Sequence, residues 1–229
     1  MASHSPIVIS LGGSILVPNG GIDVHFLRDF AKLIRSRVKQ DERFIIIVGG
    51  GSTARHYQQA ARDVSQLANE DVDWLGIHAT RLNAHLLRSV FRDEALHRVI
   101  KDPRRHVNWN KPLLIAAGWK PGWSTDYVAI RLAHKFGAKR VINLSNIAVA
   151  YDKDPNKHAD AKPMYQADWK AFRKLVGNKW SPGMNVPFDP IASRLADKWN
   201  MEVVIAKGSD LNNLKKIFEG KKFVGTVIR

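Results

Sequence analysis

Two glycine clusters carry the first chemical hint: "LGGS" at residues 11–14 and "VGGGSTAR" at 48–55, each following a short apolar run. Glycine lets the chain turn tightly and lets main-chain N–H groups approach an anion with no Cβ in the way. A helix beginning in such a turn adds the positive end of its dipole. The chemistry this implies is phosphate binding. Neither cluster spells G-x-x-x-x-G-K-[ST] or G-x-G-x-x-G, so a phosphate site here must use another arrangement. A third turn, "AAGWKPGWSTD" at 116–126, offers Ser124, Thr125 or Asp126 as the cap of a following helix, with Trp119 and Trp123 flanking Lys120, Pro121 and Gly122. A fourth stretch, "NLSNIAVAYDKDP" at 143–155, empties an apolar run into Asn, Ser, Tyr and Asp. It reads as a pocket floor or as a turn leaving a sheet, and its apolar centre, Ile147 to Ala150, favours the turn.

The elements that must position these turns alternate. Short β-branched runs ("PIVISL", "RFIIIV", "PLLIAA", "RVINLS", "MEVVIA", "GTVIR") are separated by amphipathic segments ("VHFLRDFAKLIRSRV", "STARHYQQAARDVSQLA", "STDYVAIRLAHKF", "DPIASRLADKW", "DLNNLKKIFEG"). That order is the signature of an α/β fold, an open, mostly parallel sheet sandwiched between helices. In "FIIIV" the apolar residues are continuous, which suits a strand covered on both faces. A long helix is expected from Trp74 to about Val99, with Leu75, Leu82, Leu86, Val90 and Leu96 at near-helical spacing, the pattern of a core or subunit-contact face. Residues 152–188 are looser, with one short helix, "ADWKAFRKLV", and aromatics (Tyr165, Trp169, Phe172, Trp180, Phe188, after Tyr151) that suggest packing. The chain reads as one domain, 1–229, with an N-terminal lobe of about 1–139 and a C-terminal lobe of about 140–229.

Composition narrows the function classes. The 229 residues contain no cysteine, which excludes disulfides and thiolate metal sites and agrees with a reducing, cytoplasmic setting. "MASHSP" has no basic residue before the first apolar run, so no signal peptide is expected, and no apolar stretch approaches a membrane span. Thirty-six Lys and Arg against 21 Asp and Glu give a charge of +15, favouring anionic partners. The basic residues form no continuous block and no aromatic-interleaved RNA motif, so nucleic acid is not the expected partner. Nine histidines occur without H-E-x-x-H or Cys/His spacing, and no protein metal site is assigned.

The motifs taken together ("LGGS", "VGGGSTAR", "DWLGIHATRLNA", "PGWSTD", "DKDP", "DPIAS" and a closing GS-x-x-NL…EG…GT-x-I pattern) make the chain resemble the amino acid kinase family, and within it the archaeal-type uridylate kinases. The resemblance covers nearly the whole chain. It implies ATP as phosphoryl donor, UMP as acceptor, Mg²⁺ held mainly by phosphates and water, and a homo-oligomer, hexameric in many such kinases. It further implies that Gly12, Gly13 and Ser14 surround the transferred group, Gly50 faces the UMP phosphate, and Gly51 and Arg55 face the ATP phosphates. Asp73 would hold the UMP ribose hydroxyls, and Trp119, Lys120, Pro121, Gly122, Trp123, Ser124 and Thr125 would wrap UMP. Ser145, Asn146, Tyr151 and Asp154 would form the adenine and ribose side of the ATP pocket.

Relatives acting on isopentenyl phosphate carry a His soon after the second glycine turn; here His56 falls late and reads as a helix-face residue. The chain departs from the family pattern in two places. Ser10 stands where many amino acid kinases have a Lys beside the migrating phosphoryl group, leaving Arg55, Lys120 or Lys207 as the compensating cation, Arg55 first. Ala148 and Val149 stand where the pattern has Asp-Gly after the Ser-Asn pair. Losing that carboxylate raises the alternative of a weakened or non-catalytic nucleotide-binding member of the fold, beside that of a kinase for another small phosphorylated acceptor.

Overall fold

The computed structural model describes residues 5–179, 184 and 186–229; Trp180 lies outside them, as do residues 1–4 of the N-terminal reading. In chain order the elements are β1 (Ile7–Leu11), α1 (Gly13–Leu16), α2 (Val24–Val38), β2 (Phe44–Val48), α3 (Gly51–Val64), α4 (Asn69–Val90), β3 (Leu113–Ala116), α5 (Thr125–Lys135), β4 (Arg140–Ser145), β5 (Ala150–Tyr151), β6 (Pro163–Met164), β7 (Gln166–Ala167), α6 (Trp169–Val176), α7 (Pro190–Lys198), β8 (Glu202–Lys207), α8 (Leu211–Phe218) and β9 (Thr226–Ile228). The main sheet has seven strands in the order β3-β2-β1-β4-β8-β9-β7. The first five run parallel, while β9 turns back against β8 and β7 lies parallel to β9. A separate ribbon pairs β5 with β6. Strands of both expected lobes therefore share one sheet.

Side-chain alternation divides the core into two layers. Ile45 and Ile47 point towards α5, α6 and α7, while Phe44, Ile46 and Val48 point towards α2, α4 and α8. All five β2 residues are buried, as the unbroken "FIIIV" run requires, and each such side chain contributes about 1.5–3 kcal/mol by leaving water. Several helices open on side-chain caps: Asp23 accepts from the Phe26 amide, Ser124 from Tyr127, Asp168 from Ala171, and Asp189 from Ala192 with Pro190 following. The α3 helix has no side-chain cap; of its first amides Ser52 donates to Val17 O, while Gly51 has no main-chain acceptor among the described residues.

The long helix departs from the sequence reading at both ends. It starts at Asn69, with Glu70 and Asp71 complementing its dipole in the first turn, so Asp73 lies inside it. It stops at Val90; after buried Phe91 the chain crosses to the sheet edge, where Ala95 bridges Leu113 and Ile100 bridges Ala116. Leu96 and Val99 are core residues of that edge, and nothing local distinguishes their spacing from one more helical turn. In the 152–188 region Trp169, Phe172 and Phe188 are buried, while Tyr165 is exposed.

Candidate functional site

Strand order reverses between β1 and β4, because β2 and β3 lie to one side of β1 and β4 and β8 to the other. Open α/β sheets bind ligands at the carboxyl ends of strands beside such a switch point. A cleft of about 520 Å³ lies there, lined by Gly12, Gly13, Ser14, Gly50, Gly51, Arg55, Asp73, Trp123, Ser124, Thr125, Ser145 and Asn146, among others. It opens beside a second recess of about 240 Å³ lined by Ser145, Asn146, Ile147, Tyr151, Asp154, Leu175 and Val186. Ser145 and Asn146 border both.

The two glycine turns meet main chain to main chain at the floor. A Cβ on Gly13 would stand 2.5 Å from the Gly49 carbonyl carbon and 2.6 Å from the Gly50 nitrogen, and closer still to the Gly51 nitrogen. Gly51 has φ of 63°, a conformation that side chains resist. Ser52 fastens the junction: its amide donates to Val17 O at 2.9 Å and its hydroxyl to Pro18 O at 2.7 Å. The first turn of α3 is thus packed against the "GGS" turn, and the Gly50 and Gly51 amides, which have no main-chain acceptor among the described residues, lie beside the cleft, an arrangement that stabilises anionic oxygens.

Arg55 stands on that first turn. Its Nη1 donates to Ser14 Oγ and its Nη2 to Asn19 Oδ1, both at 3.1 Å, and it has no carboxylate partner among the described residues. Of the three candidate compensating cations it alone lines the cleft; Lys207 is an exposed residue at the end of β8, and Lys120 lies 4.8 Å from the Trp119 ring centroid. Arg55→Ala is therefore expected to lower kcat for phosphoryl transfer about 10²-fold, with partial recovery in Arg55→Lys, which keeps the charge and loses the fork. Steady-state kinetics at saturating substrates reads this directly.

On the other side of the cleft, Asp73 Oδ2 accepts from the Gly122 amide at 2.8 Å. Burial pushes its carboxyl pKa up and that hydrogen bond pulls it down, with a net rise. Trp123, Ser124 and Thr125 line the cleft, whereas Trp119 faces a different recess beside Arg81, Arg98 and Arg105. Lys120 and Pro121 are not among the residues bordering the cleft, and His56 is exposed on α3 outside it. In the second recess Tyr151 is carried by β5, which is held by the fully buried Thr226: its hydroxyl accepts from the Ala150 amide at 2.8 Å and donates to Met164 O. Asp154 lines that recess but is partly engaged by its own turn, accepting from the Asn156 amide at 3.0 Å.

The two departures look different in three dimensions. Ala148 sits exposed in the bend after β4 and borders neither recess. Ser10, by contrast, donates from Oγ to Asp126 Oδ1 at 2.8 Å, joining the end of β1 to the start of α5. Asp126 keeps some solvent contact as a residue, but its carboxyl lies enclosed between Ser10 and Asp189; burial, then the Asp189 carboxylate, push it up to about 7. Asp189 is raised as well, chiefly by burial. Sequence reasoning missed this pair's coupling and three buried polar residues, Thr80, Asn83 and Thr226. Thr80 and Asn83 are polar residues at apolar-face positions of α4, which is the signal that could have found them.

A mostly parallel sheet with a helix lacking a side-chain cap, glycine turns and an arginine without a carboxylate partner among the described residues converging at its switch point, beside two adjoining recesses, defines an α/β protein suited to handling phosphate. The chain belongs to the amino acid kinase family, whose model matches residues 5–207. It is 35% identical to the uridylate kinase of Methanococcus aeolicus over 214 residues, 91% of this chain and 93% of that one. It is 34% identical to the uridylate kinase of Thermoplasma volcanium over 98% of each chain. Among solved structures, the uridylate kinase from Archaeoglobus fulgidus superimposes with a TM-score of 0.80 at 30% identity, covering 98% of this chain and 100% of that one. The UMP kinase from Bacillus anthracis, 20% identical with a TM-score of 0.77, shares the fold.

Proposed function

We propose that this chain transfers the γ-phosphoryl group of ATP to UMP, giving UDP and ADP for pyrimidine nucleotide synthesis. The observation that carries this reading is the division of the site: a carboxylate-bearing acceptor cleft and a partly apolar recess meet at Ser145 and Asn146 beside the glycine turns. The N-terminal lobe, about 1–139, takes UMP and the C-terminal lobe, about 140–229, takes ATP. Gly12, Gly13 and Ser14 surround the migrating group, Gly50 meets the UMP phosphate, and Gly51 and Arg55 meet the ATP phosphates. Asp73 accepts from the UMP ribose, the Trp119–Thr125 loop closes over UMP through Trp123, Ser124 and Thr125, and Ser145, Asn146, Tyr151 and Asp154 hold adenosine. The acceptor oxygen of UMP is already ionised at neutral pH, so in-line transfer needs alignment and charge neutralisation and no general base.

Mg²⁺ would supply further neutralisation of the phosphates. The described residues offer no cluster of three or more His, Asp or Glu side chains that could hold a cation, so the donor set does not fit a protein-built cage and suits Mg²⁺ carried by phosphate oxygens and water. Exposed Tyr57 on α3 and Leu82 on α4 support self-association into a homo-oligomer through these helices, hexameric by family resemblance. The cytoplasm is the proposed location, in keeping with a chain without cysteine.

A coupled assay with Mg-ATP across UMP, dUMP, CMP and isopentenyl phosphate tests acceptor and activity together. UMP is expected to give UDP, and dUMP, which lacks one hydroxyl for Asp73, to fall about ten- to 100-fold in kcat/KM, the worth of one hydrogen bond to a charged group. No UDP from UMP, or a preference for isopentenyl phosphate, sinks the reading.

A further inference from the structure

One face of α4 holds two loops of the cleft, 117–124 at two points and the second glycine turn at a third, each point by a single polar side chain. Asp73 accepts from the Gly122 amide, and Thr80 Oγ1 accepts from the Gly118 amide at 2.8 Å. Asn83 Nδ2 donates to two carbonyls, Gly49 O at 2.9 Å and Gly50 O at 3.0 Å. Spacings of seven and three residues keep all of these on the same side of a helix. Asn83 is only 3% exposed and does not border the cleft, so it acts on a ligand solely through the turn it holds.

The geometry of the peptide bond turns that contact into an orientation. A trans peptide is planar, with N–H pointing opposite to C=O. The Gly49 carbonyl shares its plane with the Gly50 N–H, and the Gly50 carbonyl with the Gly51 N–H. Drawing both carbonyls towards α4 therefore points both N–H groups away from α4, towards the side where Gly13 packs and the cleft opens. Neither amide donates to a main-chain carbonyl among the described residues. The Gly50 carbonyl also accepts from the Ala54 amide at 3.3 Å as α3 begins, whereas the Gly49 carbonyl has no main-chain donor among the described residues, so the buried Asn83 amide group is what holds that glycine peptide, and reinforces the next, before any ligand arrives.

We propose that Asn83 is a positioning residue for phosphoryl transfer, fixing the direction of the Gly50 and Gly51 N–H groups that receive the phosphate oxygens. The proposal deepens the phosphotransferase reading above and rests on it. Only a neutral donor suits this position, since a carboxylate in its place would bring an acceptor against two carbonyls, and a leucine of similar size would offer no donor.

Asn83→Leu and Asn83→Asp are expected to lower kcat/KM for UMP about 10²-fold, the usual cost of a misdirected oxyanion donor. Because the amides act only on phosphate, the variants should weaken UMP binding while leaving uridine binding unchanged, whereas Asp73→Asn should weaken both. A purely structural role would shift melting temperature and move the two ligands together. Folded variants that keep UMP affinity and turnover beside an active parent overturn the Asn83 assignment alone; a parent protein that makes no UDP overturns both readings. If neither variant folds, the unaltered protein decides: the Gly50 and Gly51 amide proton resonances should move downfield when UMP and a non-hydrolysable ATP analogue bind, and fixed resonances refute the proposal.

Discussion

Gly13→Ala is expected to abolish phosphoryl transfer, by 10³-fold or more on the order of magnitude of a lost oxyanion site, and to cost about 3 kcal/mol or more of stability. The reason is what the new methyl would meet. Its neighbours are the main-chain atoms of Gly49, Gly50 and Gly51, which cannot rotate aside as a side chain can. Relief requires the second glycine turn to move away from the first, and that movement has consequences on both sides. It breaks the Ser52 contacts to Val17 and Pro18, and it pulls the first turn of α3, with Arg55, off the cleft. Gly20→Ala is the matched control. An added methyl at the exposed Gly20 would meet nothing within 4 Å, so activity and melting temperature should stay close to those of the parent protein. Circular dichroism melts together with UDP formation separate the outcomes; a Gly13→Ala protein with parental turnover would mean that the two turns need no such close approach.

The legible parts of this molecule were those in which neighbouring residues carry the information. Continuous apolar β2, the Ser124 cap in "PGWSTD" and the glycine turns at strand ends are all local patterns, and the sheet and its switch point follow from their order. What local pattern could not convey was pairing across the chain. Leu96 and Val99 continue the apolar spacing of α4, yet Ala95 and Ile100 pair with β3, and only the sheet edge decides between helix and strand there. Asn83 and Gly49 are 34 residues apart, and Thr226 and Ala150 are 76 apart. Each buried hydrogen bond depends on a partner that spacing cannot nominate. The same limit governs Ala148: aligning a motif marks a missing acid, while the fold puts that position on the outside of a bend.

The acid that the fold does enclose is Asp126, and it explains how the chain manages with Ser10. A lysine at position 10 would lie beside the Asp126 carboxyl and hold it ionised; a serine can only donate one hydrogen bond, so burial and the nearby Asp189 carboxylate dominate and the pKa rises to about 7 from an ordinary 3.8. The stability consequence has a definite sign. Between those two values the folded chain binds a proton that the unfolded chain has released, so stability is greatest below about pH 4 as far as this group is concerned and is lost as pH rises through 7. The full shift corresponds to at most about 4 kcal/mol, and the residue's remaining solvent contact brings the expected figure nearer to 2 kcal/mol. Asp126→Asn keeps a neutral partner for Ser10 and should be more stable than the parent at pH 8, with the advantage shrinking towards pH 5. Ser10→Ala removes the hydrogen bond that favours the charged form, so its loss of stability should extend to higher pH than the parent's. Denaturant unfolding of the three proteins between pH 5 and pH 8 measures both slopes. Parallel curves for parent and Asp126→Asn would mean that Asp126 is ionised throughout, and that some cation other than residue 10 neutralises it.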